Sequence, residues 1–433
     1  MSQAFERERE SIRRAARILA DAAKPIKVLK VIDWPAEMRT RFFEKGAKEL
    51  PRPQYQAFDA APTQKQLREL SGVHISDTTI RDWVARHAES IEAAALMLAG
   101  LGTPAFFEYG RKLYGEPKAQ LVAYPITPWD LAASVREVID QLHVLDINLA
   151  PPRTFDATEV AEQLRSATAA HFGAFAPKIE IVDVLSANAL AGATTIKVRR
   201  GARFTDRDAA QLLQHEAFIH VATALNGRAQ TDLPILACGH PYTARFQEGL
   251  AVLAELISGT IEMDRFARLA DRVFAIQQVI EGADFLELYR YFLERTGRTE
   301  QSYESARRVF RGGVIGGGAP FTKDCVYLYG LLQANNTMRA LFASGRSDCM
   351  PLLFCGKLDV RDLPALCELA AMGLVRAPKF VPPWVSDPRT LFALLTYTEF
   401  TQRIETAPLV ALANEFLREA PRVKFPEATA EAA

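Results

Sequence analysis

The sequence predicts an α+β chain, mostly helical, with one small sheet set just before a buried motif helix. Three observations lead there. Apolar residues recur at helical spacing from Phe5 to Ala23 and from Asp77 to Leu101. A β-rich run (Ile179, Ile181, Val182, Val184, Leu185) is followed by a second, Ala193 to Val198, with Asn188 and Gly192 between them as turn residues. From Thr205 onward helical patterns dominate again.

Taken in order, the first 150 residues read mainly as helices, the second long one breaking at Gly102 and Pro104. The Pro151-Pro152 pair marks a boundary, giving an N-terminal helical region 1–150. A central region 151–348 carries the sheet and the motifs. A C-terminal helical region 349–433 is interrupted at Pro378, Pro382 and Pro383 and ends in a polar, Ala-rich tail after Pro426.

Bulk composition narrows the function. The chain has 433 residues, 49% of them hydrophobic, enough for a sizeable core. Lys plus Arg balance Asp plus Glu at 52 each, which argues against a nucleic-acid binder and against attraction to an anionic membrane. Ala93 to Phe107, the longest uncharged run near the N-terminus, has 15 residues, two glycines and a proline, where a span needs ~20 apolar residues. Five scattered cysteines make a disulfide framework unlikely to be the organising device, and MSQAFERERESIRR has no apolar signal core, so a cytoplasmic protein is expected.

Thr205, followed by Asp206 and Asp208, makes a good helix start, and Asn226-Gly227 a good stop. The helix between them is apolar on nearly every side, yet it contains His215, Glu216 and His220. Ionisable groups in such a helix need partners. A metal is one: two imidazoles and a carboxylate from elsewhere suit a catalytic Zn2+ with water in the open position, and Glu216 would take that water's proton. The spacing objects, because HEAFIH places the histidines at i and i+5, about 140° apart in a regular α-helix. A local π-bulge would return both rings to one face. The residues alone also admit two helical histidines satisfied by backbone or buried water.

The third ligand is expected on TARFQEGLAVLAELISG, a helix read as capped by Thr243 and ended by Ser258-Gly259. Glu248 is assigned as ligand, with Gly249 beside it to admit a close neighbour. Glu255, seven residues on and on the same face, is either an acceptor for a ligating histidine or an ordinary paired carboxylate.

At HEAFIH, QEGLAVLAEL and GGVIGGGAPFTKDCVYLYG the sequence resembles a bacterial family named for its QEGLA motif and labelled as modulating flavohaemoglobin expression. That family is in turn similar to the microtubule-associated tyrosine carboxypeptidases. Weaker stretches, VIDWP at 31–35, RKLYGEP at 111–117 and LLFCGKL at 352–358, extend the resemblance over most of the chain. It implies a zinc-metallopeptidase catalytic domain of gluzincin type, with His215, His220 and Glu248 on zinc and Glu216 catalytic. His240 departs from the pattern, standing where a small or apolar residue is expected; it is either a substrate-pocket group or a loop histidine. A tubulin substrate is not carried over.

Around GGVIGGGAP, which lacks the GKS or GKT of a phosphate loop, Arg308, Arg311 and Lys323 are candidates for holding a carboxylate. The glycines are expected to let the backbone pass close to substrate or to the motif helix. Tyr327, one turn after Lys323, is a candidate donor to a developing oxyanion. The strand Ala193 to Val198 is expected at a sheet edge beside the motif helix, open to an extended substrate, with Lys197, Arg199, Arg200 and Arg203 at its end. The expected activity is that of a zinc carboxypeptidase acting on a peptide or protein C-terminus. The alternatives are an N-terminal exopeptidase of dipeptidyl-peptidase III type and a regulatory protein whose zinc is structural.

Overall fold

The helix Gln3–Ala23 buries Ile12, Ala15, Ala16, Leu19 and Ala23, the stripe that a period of 3.6 residues dictates. The helix Thr78–Ala99 starts at Asp77, whose side chain accepts the Ile80 amide, and turns into its neighbour at Gly100. These assignments come from a computed structural model that describes residues 3–143 (123 aside) and 153–401 (184, 186, 187 and 193 aside), with 403, 415 and 418. The expected boundary at Pro151-Pro152 lies outside the described residues.

The largest core cluster includes Phe246, Leu250 and Leu253 of the helix Pro241–Ile257, Leu19 and Trp83 from the N-terminal helices, and Leu366 and Leu395 from the C-terminal ones. All three stretches expected as separate regions therefore contribute to one apolar interior. Each large side chain buried there is worth ~1.5–3 kcal/mol. A second cluster covers the sheet, with Val160 and Leu164 of helix Ala157–Phe172 packed among Ile196, Val198, Phe204, Phe218 and Val221. A third, aromatic one joins Trp34 and Phe42 to Phe285, Tyr303 and Phe310.

The chain is mostly helical, but the single sheet expected becomes two small ones among the described residues. β1 (Thr154–Phe155) pairs antiparallel with β5 (Phe204–Thr205). The other sheet has the order β2 (Lys178–Val182), β4 (Thr195–Arg199), β3 (Ala189–Ala191), with β2 parallel and β3 antiparallel to β4. The strand expected at the edge is thus the central one. The edges are β2 and Ala189–Ala191, the latter inside what reads as a turn. Its small residues carry no β-branched signal, and pairing with β4 is what makes it a strand.

Candidate metal centre

Thr205 caps the motif helix reciprocally: its Oγ1 accepts the Asp208 amide at 3.0 Å, and Asp208 Oδ2 accepts the Thr205 amide at 2.8 Å. The α-helix Asp206–Leu212 passes into a π-helix over Leu213–Val221 and returns to α over Ala222–Ala229. The irregularity demanded by the i, i+5 spacing is present and occupies 9 residues. With i→i+5 bonding the two rings come onto one face, their centroids 4.8 Å apart. The expected stop at Asn226-Gly227 does not occur. Buried Asn226 instead donates to the carbonyls of Phe354 and Phe380 and accepts the amides of Lys379 and Phe380, so its side chain is unavailable to end the helix.

The helix bearing Glu248 begins earlier than expected. His240, not Thr243, is its N-cap residue, and Pro241 fills the first position, where a missing N–H costs nothing. At Gly249 a Cβ would come within 2.1 Å of the Gly330 carbonyl oxygen, so this helix and Val326–Ala343 cross in direct backbone contact. That crossing carries Glu248 to the histidines. Its Oε2 lies 3.6 Å from His215 Nε2 and 3.7 Å from His220 Nε2. One ligand atom from each of the three side chains falls within 4.8 Å of the others, the arrangement of a candidate metal site.

The surroundings suit a cation. Glu255 is fully buried, and its Oε1 sits 2.6 Å from His215 Nδ1, which directs Nε2 toward Glu248. Gln211 Nε2 and Arg265 donate to the same carboxylate at 2.9 and 3.3 Å. Burial works to lower His215, but hydrogen bonds and charge from Glu248 and Glu255 outweigh it and push the imidazole up to about 10. The position therefore attracts positive charge. Burial, helped by His215 and Lys357, keeps His220 below its ordinary value and hence neutral, as a ligand must be. Burial opposes ionisation of Glu248 as well, yet Lys323 and the two histidines hold it well below the usual carboxylate range.

Glu216 is buried beside this group, with its Oε2 accepting the Ala191 amide of β3 at 2.8 Å. Ala191 presents that amide because β3 turns its alternate residues the other way: Arg199 N–H bonds Asn188 O at 2.9 Å and Gly192 N–H bonds Thr195 O at 2.7 Å, across to β4. Among the described residues Oε1 of Glu216 meets no hydrogen-bond donor.

The other residues singled out in the sequence divide. Lys323 Nζ donates to Glu248 Oε1 at 2.7 Å. Burial alone would lower Lys323, and the charge of Glu248 reverses this to hold it above its ordinary value. Arg308 is committed to Asp324 by two bonds of 2.9 and 2.8 Å. Arg311 is buried, its Nε without a partner, and burial lowers it to about 10. The Tyr327 ring lies under Lys323, Arg265 and Arg272 at 5.1, 6.0 and 5.6 Å. His240 does not join them. Only 5% exposed, it packs with its Nε2 3.1 Å from His87 Nδ1, beside Tyr242, which donates to Asp362. The loop glycines make their close approaches elsewhere too: a Cβ at Gly312 would lie 2.4 Å from the Phe106 ring, and Gly317 crowds the Gly282 carbonyl.

Two arginines missed in the sequence complete the cationic side. Arg265 and Arg272 stand at i and i+7 on helix Met263–Ile280, a stripe that was readable as one face. Burial lowers Arg272 to about 9, and its carboxylate contact, Asp324, is 3.6 Å away and already paired with Arg308. Five cations (Arg265, Arg272, Arg308, Arg311, Lys323) thus meet three carboxylates, Glu248, Glu255 and Asp324, two of which also serve the histidines.

A model of the family described as microtubule-associated tyrosine carboxypeptidase matches residues 40–403. No curated protein matches the chain. No helix among the described residues is long and apolar enough to cross a membrane.

Proposed function

Because the chain belongs to the microtubule-associated tyrosine carboxypeptidase family, we propose that it is a zinc-dependent carboxypeptidase removing the C-terminal residue of a peptide or protein. The observation that carries this reading is the 2.7 Å contact of Lys323 with the candidate ligand Glu248. It sets a group of under-neutralised cations against the metal centre, where a terminal carboxylate has to lie if its own peptide bond is to be cut.

His215, His220 and Glu248 would hold the ion, and His, His and carboxylate donors fit zinc. Bound there, zinc supplies Lewis acidity to the scissile carbonyl and acidity to a water molecule. Glu216 is the base. The Ala191 amide fixes one carboxylate oxygen and leaves Oε1 to take the proton from water and return it to the departing amine. Tyr327, with Lys323, Arg265 and Arg272 about its ring, offers its hydroxyl hydrogen to a developing oxyanion. Arg272 and Arg311, the least neutralised cations, hold the terminal carboxylate, while Lys323 and Arg308 keep Glu248 and Asp324 in place. The outward backbone groups of β3 other than the Ala191 amide receive the substrate's extended chain, the role first expected of β4. An N-terminal exopeptidase would need carboxylates for an α-ammonium, and this side of the site is cationic. We place the protein in the cytoplasm, in keeping with its five free cysteines.

Mass spectrometry of peptides ending in tyrosine, and of a library varied at that end, tests the reading. The zinc-loaded protein is expected to release one C-terminal residue, and Glu216→Gln to leave the peptides intact. Amidation of the C-terminus should slow cleavage by ~10-fold or more, the worth of about one charged hydrogen bond, and N-terminal acetylation should leave the rate unchanged. Equal cleavage of amide and free acid would overturn the carboxypeptidase assignment.

A further inference from the structure

Lys357 is an unexplained cation. It belongs to the LLFCGKL stretch, far in sequence from every candidate ligand, yet its Nζ donates to the His220 carbonyl at 2.9 Å, to Thr223 Oγ1 at 2.9 Å and to Gln247 Oε1 at 3.2 Å. An ammonium has three hydrogens, and all three are used. One acceptor is the backbone of a candidate ligand at the end of the π-helix. Another is the side chain preceding Glu248 on the neighbouring helix. Thr223 closes the ring, its Oγ1 lying 2.9 Å from Gln247 Oε1 and 2.7 Å from the Ile219 carbonyl, which share its single hydrogen.

The stem is fixed as firmly as the head. The Lys357 amide donates to the Leu236 carbonyl at 2.7 Å, and at Gly356 a Cβ would come within 2.5 Å of the same oxygen, so only glycine lets the chain dock there. Electrostatics alone argue against placing a cation beside a metal site, since like charges repel. A geometric role supplies the reason for its presence.

We propose that Lys357 is a positioning residue that fastens the His220 end of the π-helix to the helix bearing Glu248, and so sets the spacing of the metal ligands. The proposal rests on reading His215, His220 and Glu248 as a zinc site. It accounts for the Gln of QEGLA, which on this view ties the adjacent glutamate to the motif helix.

The test is zinc affinity of the full chain, measured by competition with a chelating dye, beside the thermal melting of the metal-free protein. Lys357→Met, which keeps the stem but removes charge and donors, is expected to weaken zinc binding by ~10–100-fold, the usual effect of losing a group that orients a ligand. Lys357→Arg is expected to recover part of that loss. Removal of charge alone would tighten zinc binding, so the sign separates positioning from electrostatics. Unchanged or tighter binding by folded Lys357→Met overturns the proposal. Should that variant not fold, Gln247→Met, which removes one acceptor and no charge, decides in its place: weaker zinc supports the proposal and unchanged zinc overturns it. Wild-type protein that binds no zinc would overturn the zinc reading and this proposal together.

Discussion

The metal side and the cationic side of the site share Glu248 and Glu255 but are built on opposite terms. On the metal side three of the four groups have a partner that aims them: Glu255 holds His215, Lys323 holds Glu248, Ala191 holds Glu216. On the cationic side Arg308 is fully engaged with Asp324, whereas Arg272 has a shared partner at 3.6 Å and Arg311 an unpartnered Nε. Buried charge is costly unless paired. On the proposed function, the better-paired region holds a fixed ion and the less-paired one receives an anion that comes and goes.

Breaking the first side should have the largest effect. His215→Ala, His220→Ala and Glu248→Ala are each expected to lose most of the ~one zinc per chain of the wild type, and activity with it, because a three-ligand site cannot spare one; elemental analysis of the purified variants checks this. Full zinc in Glu248→Ala would remove Glu248 from the ligand set. Next, Glu255→Gln keeps an acceptor for His215 Nδ1 but no charge, and zinc affinity by dye competition should fall ~10-fold or more. On the second side, Arg272→Met and Arg311→Met should raise KM for free-acid peptides by ~10-fold while zinc content stays at the wild-type level. A variant that slows amide and acid alike would mean that these arginines serve the fold.

The smallest expected effect is a control lying outside both sides. Burial, with His87 next to it, depresses His240 to about 3 from 6.5, while Asp362 opposes the shift. A histidine that is depressed on folding contributes stability fully present above about pH 6.5 and lost as pH falls toward 3. His240→Gln should therefore flatten the decline of Tm between about pH 6.5 and 5 without altering KM. An altered KM would return His240 to the substrate pocket.

The metal group was legible in the sequence because charge in an apolar helix is conspicuous, and the spacing itself demanded the π-helix. Glu255 was legible as one face of a helix. What escaped depends on contacts that no local pattern encodes. Ala189–Ala191 has small residues and becomes a strand only by pairing with β4. Lys323 and Arg308 read as candidates for holding a substrate carboxylate, but the former is bound to a residue 75 positions away. Lys357 is 137 positions from His220, and nothing in its own segment announces the contact. His240 was left open between a pocket group and a loop histidine because no local pattern shows that its place as an N-cap before Pro241 buries it.

The nine π residues also act as a local take-up for one extra residue. The turn before them is keyed to the sheet through Thr205 and Asp208, and the turn after them to the C-terminal segment through Asn226. Deleting one residue between the histidines would restore the commoner i, i+4 spacing and still leave both rings on one face of an ordinary helix. Because the π turns take up the extra residue locally, everything after the second histidine would keep its phase, with Asn226 still facing Phe354 and Phe380. The longer motif is thus an insertion absorbed where it stands, and the shorter one would leave the far half of the molecule undisturbed.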